Sequence, residues 1–281
     1  MPELPEVEIT ARLIGAAAAG TRVESALAPG INALRSYDPP LTALHGRRVE
    51  GIRRRGKLFL VDFEDQLTAL VHLMSAGRLQ LFDARASLRD RTSRLLLALD
   101  DGRELRLREF GTKQRAWVKL LEADESEAEE TVAALGPEAW PDPPPFEALL
   151  DEPRPLYALM RDQNVIAGIG RSWVDEILHR AMLSPFKRGS DLEADEAERL
   201  REATISRLQE AIAHYEHAVK LPIPDKLPMP LTVHRRNGEP CPRCGDRLEA
   251  VFYEDYVMCY CPTCQTDGKL LKDRRLSRLL K

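Results

Sequence analysis

The spacing of hydrophobic and polar positions changes along the chain and separates it into regions of different structure. From about residue 3 to residue 19 the chain is rich in alanine, with Val7 and Ile14 among apolar positions at helical spacing, which predicts a first helix. From Arg22 to Leu121, short β-branched or leucine-rich runs alternate with turn signals such as Asp101-Gly102. This second pattern predicts an antiparallel β-sandwich or barrel.

An acidic, proline-rich stretch separates the predicted sheets from a helical region. Seven prolines lie between Ala134 and Pro155, which favours an interdomain linker. Beyond it, LYALMRDQNVIAGIGRSWVDEILHRAML predicts two helices separated by a turn at Gly168-Ile169-Gly170, and Asp195 to His217 predicts a long amphipathic helix. Four prolines between Leu221 and Pro230 exclude a continuous helix there.

Composition and charge indicate the class of protein. A chain of 281 residues with 43% hydrophobic content can form more than one domain. Its net charge of −4 conceals an uneven distribution, because eleven acidic residues and no lysine or arginine lie between Glu122 and Glu152. Basic residues cluster at Arg53 to Lys57 and after Lys269, where they form either a solvated face or a phosphate-binding surface.

The N-terminus also bears on localisation. No stretch approaches 18 uncharged apolar residues, and Glu3 and Glu6 stand where a signal peptide would carry basic residues. We therefore expect a cytoplasmic protein with no membrane partner. We also expect the protein to be a monomer.

All five cysteines lie close together near the C-terminus. Cys241-Pro-Arg-Cys244 and Cys261-Pro-Thr-Cys264 are two CxxC pairs separated by sixteen residues, the ligand number and spacing of a zinc ribbon that holds one structural Zn²⁺. In a reducing compartment this pattern favours metal binding over disulfides. Cys259 lacks the CxxC spacing, and we leave it out of the predicted ligand set.

Two further features each have a chemical and a purely structural interpretation. Gly168 and Gly170 form a turn leading into a helix, which can offer N–H groups to a phosphate or can be only a tight turn.

Removal of Met1 would expose Pro2 as a secondary amine. An α-amino group titrates near pH 8, so a fraction of the amine is neutral and nucleophilic at pH 7. Equally, Pro2 and Glu3 suit an ordinary helix start.

Taken in order, these motifs resemble the formamidopyrimidine-DNA glycosylase and endonuclease VIII (Fpg/Nei) family of base-excision repair enzymes. The resemblance rests on PELPEVE, on a Gly56-Lys57 pair, on the helix-two-turns-helix sequence QNVIAGIGRSWVDEILHRAMLSP and on the zinc finger GEPCPRCG. It implies a multidomain α+β protein with an N-terminal helix and catalytic β-sandwich over residues 1–135, a linker over 136–152, a helix-two-turns-helix domain over 153–230, a zinc finger over 231–268 and a basic tail over 269–281.

The resemblance also implies an activity and a role for each catalytic position. Pro2 is the implied nucleophile that attacks C1′ of the damaged nucleotide, and Glu3 is the acid that protonates the sugar ring oxygen. Glu6 supports the damage pocket, and Lys57 contacts a phosphate and assists proton transfer. Together they imply a bifunctional DNA glycosylase/AP lyase that excises oxidised bases from duplex DNA and cleaves the strand by β/δ elimination. The alternative is a non-catalytic zinc-finger DNA-binding protein on the same scaffold.

Base extrusion leaves a hole in the duplex that such enzymes fill with a wedge of side chains. The resemblance implies Met74, Arg108 and Phe110 for this wedge. Arg108 and Phe110 match the family pattern closely. At the first position the match is weaker, because aligning Gly77 onward places the family's methionine on Ser75.

Other positions depart from the family pattern. Arg171 stands where the family's GIGN motif has asparagine, and a guanidinium can also bind phosphate. Tyr256 stands where the zinc finger has a phosphate-binding arginine. The tail residues Arg274, Arg275 and Arg278 either compensate for that loss or belong to a solvated helix.

The interval from about Lys220 to Arg236, where the family carries its damage-reading loop, is short and proline-rich. A short loop cannot fold over an oxidised purine as a longer one does. Specificity for 8-oxoguanine is therefore not implied, and oxidised pyrimidines and ring-opened purines both stay open.

Overall fold

The computed structural model describes residues 2–30, 32–87 and 90–272, and the chain forms two compact units. Unit 1 comprises Met1–Ala134 and Ile212–Pro228, and unit 2 comprises Leu135–Ala211 and Met229–Lys281. The tail residues Arg274, Arg275 and Arg278 lie outside the described residues.

Unit 1 begins with helix α1 (Leu4–Ala18) and continues into strands. The strands are β1 (Val23–Leu27), β2 (Val49–Arg55), β3 (Leu58–Phe63), β4 (Leu67–His72), β5 (Gly77–Phe82), β6 (Ser93–Leu99), β7 (Glu104–Glu109) and β8 (Trp117–Glu122). They form two four-stranded antiparallel sheets with the orders β1-β6-β7-β5 and β2-β3-β4-β8. A short helix, α2 (Glu130–Ala133), follows.

The apolar stripe of α1 explains where the helix packs. Leu4, Val7 and Ile14 are fully buried, and α1 packs against β2, β3 and β5. At Gly15 an added Cβ would lie 3.3 Å from the Ile52 backbone nitrogen, so the glycine allows the helix to approach β2 closely. The helix predicted from residue 3 to residue 19 is confirmed.

Two hairpins show how local sequence sets strand register. Asp101 and Gly102 connect β6 to β7, and Gly102 has a φ of +87°, which glycine adopts without strain. Arg55 pairs with Leu58, so Gly56-Lys57 is a two-residue turn between β2 and β3, with a φ of +56° at Gly56. Lys57 therefore lies at the tip of a hairpin.

Unit 2 combines helices with a two-stranded ribbon. Its elements are α3 (Leu156–Leu159), α4 (Arg171–Arg180), β9 (Glu249–Phe252), β10 (Val257–Tyr260) and α6 (Pro262–Gln265). The long helix α5 (Ala194–Ala218) starts in unit 2, and its residues from Ile212 onward belong to unit 1. Trp173 and Ile177 of α4 are fully buried, and α4 packs against β10, α3 and α6.

These elements confirm the predicted α+β class, with antiparallel sheets, a helical region and a C-terminal cysteine-bearing ribbon. Among the residues that the structure describes, no helix is both long and apolar enough to cross a membrane.

Candidate active site and nucleic-acid interface

The start of α1 fixes the first acidic side chain. Glu3 is the N-cap residue, only 1% exposed, and follows Pro2 directly. Its N–H donates to Glu6 Oε2 at 2.8 Å, and its carboxylate accepts from the Glu6 N–H in a reciprocal capping box. Pro2 therefore precedes a rigid turn in which an acidic side chain is held out of solvent.

A tyrosine from α5 holds the second acid. The Tyr215 hydroxyl donates to Glu6 Oε1 at 2.6 Å, and both side chains are buried. Burial, and then the Glu6 carboxylate, raise the pKa of Tyr215, so the phenol stays protonated and remains a donor. Both oxygens of Glu6 thus accept hydrogen bonds, which fixes the orientation of this carboxylate.

Arg54 connects the beginning of α1 to the hairpin of Lys57. Arg54 Nε donates to Glu8 Oε2 at 2.9 Å, and Nη1 donates to the Gly56 carbonyl oxygen at 3.0 Å. The Arg54 side chain is only 5% exposed, and Arg12 donates to the other Glu8 oxygen at 2.7 Å. This buried bridge holds the Lys57 turn in a fixed position relative to α1.

Strand pairing places the three predicted wedge residues at one end of a sheet, where β5 begins and β7 ends. The chain passes through Met74 just before β5 and through Phe110 just after β7, and the start of β5 pairs with the end of β7. Arg108 Cζ lies 4.8 Å from the centroid of the Phe110 ring. Met74 has a φ of +51°, and its N–H donates to His72 Nδ1 at 2.8 Å.

Arg108 also contacts the proline-rich segment after α5. Its Nη1 donates to Gln80 Oε1 at 3.2 Å and lies 3.5 Å from Asp225 Oδ1. Gln80 Nε2 donates in turn to the Ile223 carbonyl oxygen at 2.6 Å. The short segment is therefore bound to β5 and β7 beside a predicted wedge residue.

His72 holds the Met74 turn only while its ring is neutral. Burial, and then the positive charges of Arg35 and Lys57, lower the pKa of His72 to about 4. Between pH 6.5 and 4 the folded state therefore binds fewer protons than the unfolded state. Stability that is present at pH 7 is lost as the pH falls through this window.

We expect the free energy of unfolding to fall by at most about 3 kcal/mol between pH 7 and pH 4 on account of His72. In His72→Asn the amide oxygen can still accept from the Met74 N–H, but the side chain does not titrate. Urea unfolding at pH 7 and pH 5 would measure the effect. The variant should lose less stability than the wild type over this interval, and equal losses would contradict the assignment.

Four of the five cysteines in unit 2 converge. The sulfur atoms of Cys241, Cys244, Cys261 and Cys264 all lie within 4.8 Å of one another. Cys241 Sγ is 3.9 Å from Cys264 Sγ, and Cys244 Sγ is 3.5 Å from Cys261 Sγ. A tetrahedral ion with metal–sulfur bonds of about 2.3 Å separates its sulfur ligands by about 3.8 Å. The donor set and its spacing fit one metal ion.

Cys259 lies outside this group. Its buried Sγ accepts from the Arg235 N–H at 3.2 Å. His179 on α4 lies beside the cluster instead, with Nε2 3.1 Å from Cys241 Sγ. A hydrogen bond from an imidazole to a ligand sulfur orients the ligand and stabilises its charge.

Two adjacent acids of α4 hold the chain that enters the ribbon. Glu176 Oε1 accepts from three successive N–H groups at 2.8 to 3.0 Å, those of Thr232, Val233 and His234. Asp175 Oδ2 accepts from the Cys259 N–H at 3.1 Å and lies 2.6 Å from His234 Nδ1. Burial raises the pKa of Asp175 to about 7. These side chains position the ribbon on α4.

The glycine turn before α4 is shaped by one glutamine. Gln163 Oε1 accepts from the Gly168 N–H at 3.0 Å, and Nε2 donates to the Ile169 carbonyl oxygen at 2.8 Å. Gly168 has a φ of +107°, and Gly170 is the N-cap of α4. Arg171 follows as the first residue of the helix, so the predicted phosphate-binding positions lie together at this turn.

Comparisons with known proteins identify two domains of one family in this chain. Residues 1–113 match the model of the formamidopyrimidine-DNA glycosylase N-terminal domain, and residues 138–222 match the model of the formamidopyrimidine-DNA glycosylase H2TH domain. The chain belongs to the formamidopyrimidine-DNA glycosylase family.

Several members of this family are similar over most of the chain. The formamidopyrimidine-DNA glycosylase of Geobacillus kaustophilus is 33% identical over 282 residues, which cover 94% of this chain and 100% of that protein. The Lactococcus lactis Fpg (MutM), solved in complex with DNA containing FAPY-dG, is 25% identical with a TM-score of 0.83, covering 94% of this chain and 100% of that one.

A shorter relative is more similar in sequence. An uncharacterized formamidopyrimidine-DNA glycosylase-like protein of Mycobacterium tuberculosis is 45% identical over 126 residues, which cover 45% of this chain and 80% of that protein.

Within this glycosylase fold, several positioning residues escaped sequence analysis. Tyr215 and Arg54 hold Glu6 and the Lys57 hairpin through contacts with α1, and the acidic pair of α4 holds the ribbon. One signal was available for the α4 pair. Asp175 and Glu176 stand between the apolar pairs Trp173-Val174 and Ile177-Leu178 in the sequence, and acids that a helix buries usually have a specific partner.

Proposed function

We propose that this chain is a bifunctional DNA glycosylase/AP lyase that acts as a monomer on oxidised bases in duplex DNA. The observation that carries the proposal is the N-terminus, where Pro2 directly precedes a capping box that buries Glu3. Membership of the formamidopyrimidine-DNA glycosylase family supports it. So does a Lactococcus lactis relative that was solved with FAPY-dG-containing DNA.

In the proposed reaction the Pro2 nitrogen attacks C1′ while the glycosidic C–N bond breaks and the departing base takes up a proton. Glu3 gives a proton to the sugar ring oxygen, so the ring opens and C1′ forms an iminium with Pro2. The iminium makes the C2′ proton acidic. Loss of this proton breaks the C3′–O bond, and a second elimination breaks the C5′–O bond.

The surrounding residues have supporting roles in this proposal. Glu6, fixed by Tyr215, lines the pocket for the damaged base. Lys57, at the hairpin tip, offers its charge to a phosphate near the lesion. Met74, Arg108 and Phe110, at one end of a sheet, fill the space left by the extruded base, which offsets part of the lost stacking.

We propose Zn²⁺ as the metal of the four-cysteine cluster. Four thiolates in a tetrahedral arrangement are a typical structural zinc site, and four protein ligands leave no open position for substrate. The ion would stabilise the ribbon and supply no step of the reaction.

Borohydride trapping tests the nucleophile. The reagent reduces an iminium to a stable amine, so incubation with an abasic-site duplex should give a covalent protein–DNA adduct. Mass spectrometry should first establish that Met1 has been removed. We expect the adduct to map to Pro2 and its yield to fall in Pro2→Gly, which lacks the secondary amine. If protein that lacks Met1 forms no adduct, the proposed reaction is contradicted. If that protein still binds DNA, the result favours a non-catalytic DNA-binding protein.

Lesion preference needs a separate assay. The proline-rich segment after α5 is short and bound to β5 and β7. We therefore expect oxidised pyrimidines or ring-opened purines to be excised faster than 8-oxoguanine. A panel of duplexes carrying thymine glycol, dihydrouracil, formamidopyrimidine and 8-oxoguanine would rank them, and fastest excision of 8-oxoguanine would contradict this expectation.

A further inference from the structure

Three tyrosine rings, defined here as the tyrosine stack, lie together in unit 2. Tyr253 and Tyr256 belong to the turn between β9 and β10, and Tyr157 belongs to α3. The Tyr253 and Tyr256 rings are stacked with centroids 4.4 Å apart, and those of Tyr157 and Tyr256 are 5.9 Å apart with 13° between their planes. The ribbon turn therefore carries an ordered aromatic surface.

Two guanidinium groups lie against this surface. Arg161 Cζ is 4.7 Å from the centroid of Tyr256 and 4.8 Å from that of Tyr157. Arg171 Cζ is 4.8 Å from the centroid of Tyr256. Cation–π contact restrains a guanidinium through its face while its N–H groups remain able to donate in the plane. The ring of Tyr256 is thus in contact with two guanidinium groups.

The two arginines differ in their carboxylate partners. Arg171 Nη2 donates to Asp255 Oδ2 at 2.6 Å, and Nη1 donates to the Asp255 carbonyl oxygen at 2.8 Å. Among residues 2–30, 32–87 and 90–272, no carboxylate forms a salt bridge with Arg161. The pair therefore carries more positive charge than Asp255 neutralises.

The Asp255 contact can be exchanged. The side chains of Arg171 and Asp255 are 39% and 68% exposed, and ion pairs this exposed add little stability because water and salt screen them. A phosphodiester presents two anionic oxygens to a guanidinium, as a carboxylate does. It can also contact Arg161, which the Asp255 carboxylate does not.

We propose that Arg161 and Arg171, held by the ring of Tyr256, bind one phosphate of DNA, and that Asp255 occupies Arg171 until the phosphate replaces it. The proposal rests on the proposed function for its ligand. It assigns new roles in DNA binding to Arg161, Tyr256 and Asp255.

Substitutions in the ribbon turn test the exchange. The probe is a duplex containing a tetrahydrofuran abasic analogue, with affinity measured by fluorescence anisotropy across a series of salt concentrations. Asp255→Asn should tighten binding about 3- to 10-fold, because a competing anion is removed. Glu254→Gln is the matched control, since it removes the same charge from the adjacent exposed position and should have a much smaller effect.

Substitutions of Arg161 and of the Tyr256 ring complete the test. Arg161→Gln should weaken binding and reduce the slope of log affinity against log salt by about 1. Tyr256→Leu should weaken binding, whereas Tyr256→Phe keeps the ring and should bind like the wild type. Zinc content, measured for every variant, separates lost contacts from a damaged ribbon.

The outcomes separate this assignment from the proposed function. If Asp255→Asn binds no more tightly than Glu254→Gln, and Arg161→Gln leaves the salt slope unchanged, the assignment is overturned even if the wild type forms its borohydride adduct. A tightened Asp255→Asn complex together with a reduced slope for Arg161→Gln supports the phosphate site even if no adduct forms. A gain in affinity cannot arise from misfolding, so the test does not depend on any variant that fails to fold.

Discussion

Glu3→Gln is expected to lower the rate of base excision by about 10²- to 10⁴-fold while DNA affinity stays unchanged. Glutamine keeps the length of the side chain and an acceptor oxygen, so the capping box with Glu6 can persist. It cannot act as a carboxylic acid, so protonation of the sugar ring oxygen is lost. Single-turnover excision and anisotropy with the tetrahydrofuran duplex measure the two quantities separately.

Glu50→Gln provides the control for this substitution. Glu50 is an exposed residue of β2, and the change removes the same charge from unit 1. We expect it to leave excision unaffected. If Glu3→Gln excises bases within about tenfold of the wild-type rate, Glu3 does not supply the general-acid step.

Cys261→Ser is expected to abolish metal binding and to unfold the ribbon. Binding of the metal ion contributes about 10 to 16 kcal/mol to the free energy of folding in small zinc domains. A serine hydroxyl stays protonated near neutral pH and therefore cannot replace the Cys261 thiolate as a ligand. We expect the metal content to fall from one ion per chain to nearly none, and DNA affinity to fall by at least about tenfold as phosphate contacts are lost. Elemental analysis and anisotropy measure these effects.

Cys259→Ser is the matched variant for the metal site. Cys259 is also buried in the ribbon, two residues from Cys261, but its sulfur lies outside the cluster and accepts from the Arg235 backbone N–H. This variant should keep one metal ion per chain. Equal metal loss in both variants would show that the ribbon responds to any cysteine substitution, and full metal retention in Cys261→Ser would refute the ligand assignment.

Much of the architecture could be predicted because its causes are local. The apolar stripe of α1, the Asp101-Gly102 turn and the two CxxC pairs each depend on residues within a few positions of one another. The family assignment followed from the order of such motifs, and the comparisons confirm it. The roles of Pro2 and Lys57 remain predictions.

The contacts that position the candidate site could not be predicted in the same way. Tyr215 is separated from Glu6 by 209 positions, and Arg54 from Glu8 by 46. Nothing in the sequence around Tyr215 marks it as a partner of a buried acid, since tyrosine is common in amphipathic helices. The same holds for the tyrosine stack, because a tyrosine at position 256 does not reveal which arginines lie against its ring.

The hydrogen bonds between α4 and the ribbon limit where the chain can be joined to a relative's chain in a chimeric protein. Glu176 accepts three successive N–H groups at the entrance to the ribbon, and Asp175 accepts one more from Cys259. A chimera joined near residue 231 would combine a foreign ribbon with these acids, and any mismatch would leave buried polar groups unsatisfied. The helix and the ribbon therefore need to be exchanged together. Because Tyr157 and Arg161 also contact Tyr256 of the ribbon turn, the crossover point should lie before α3.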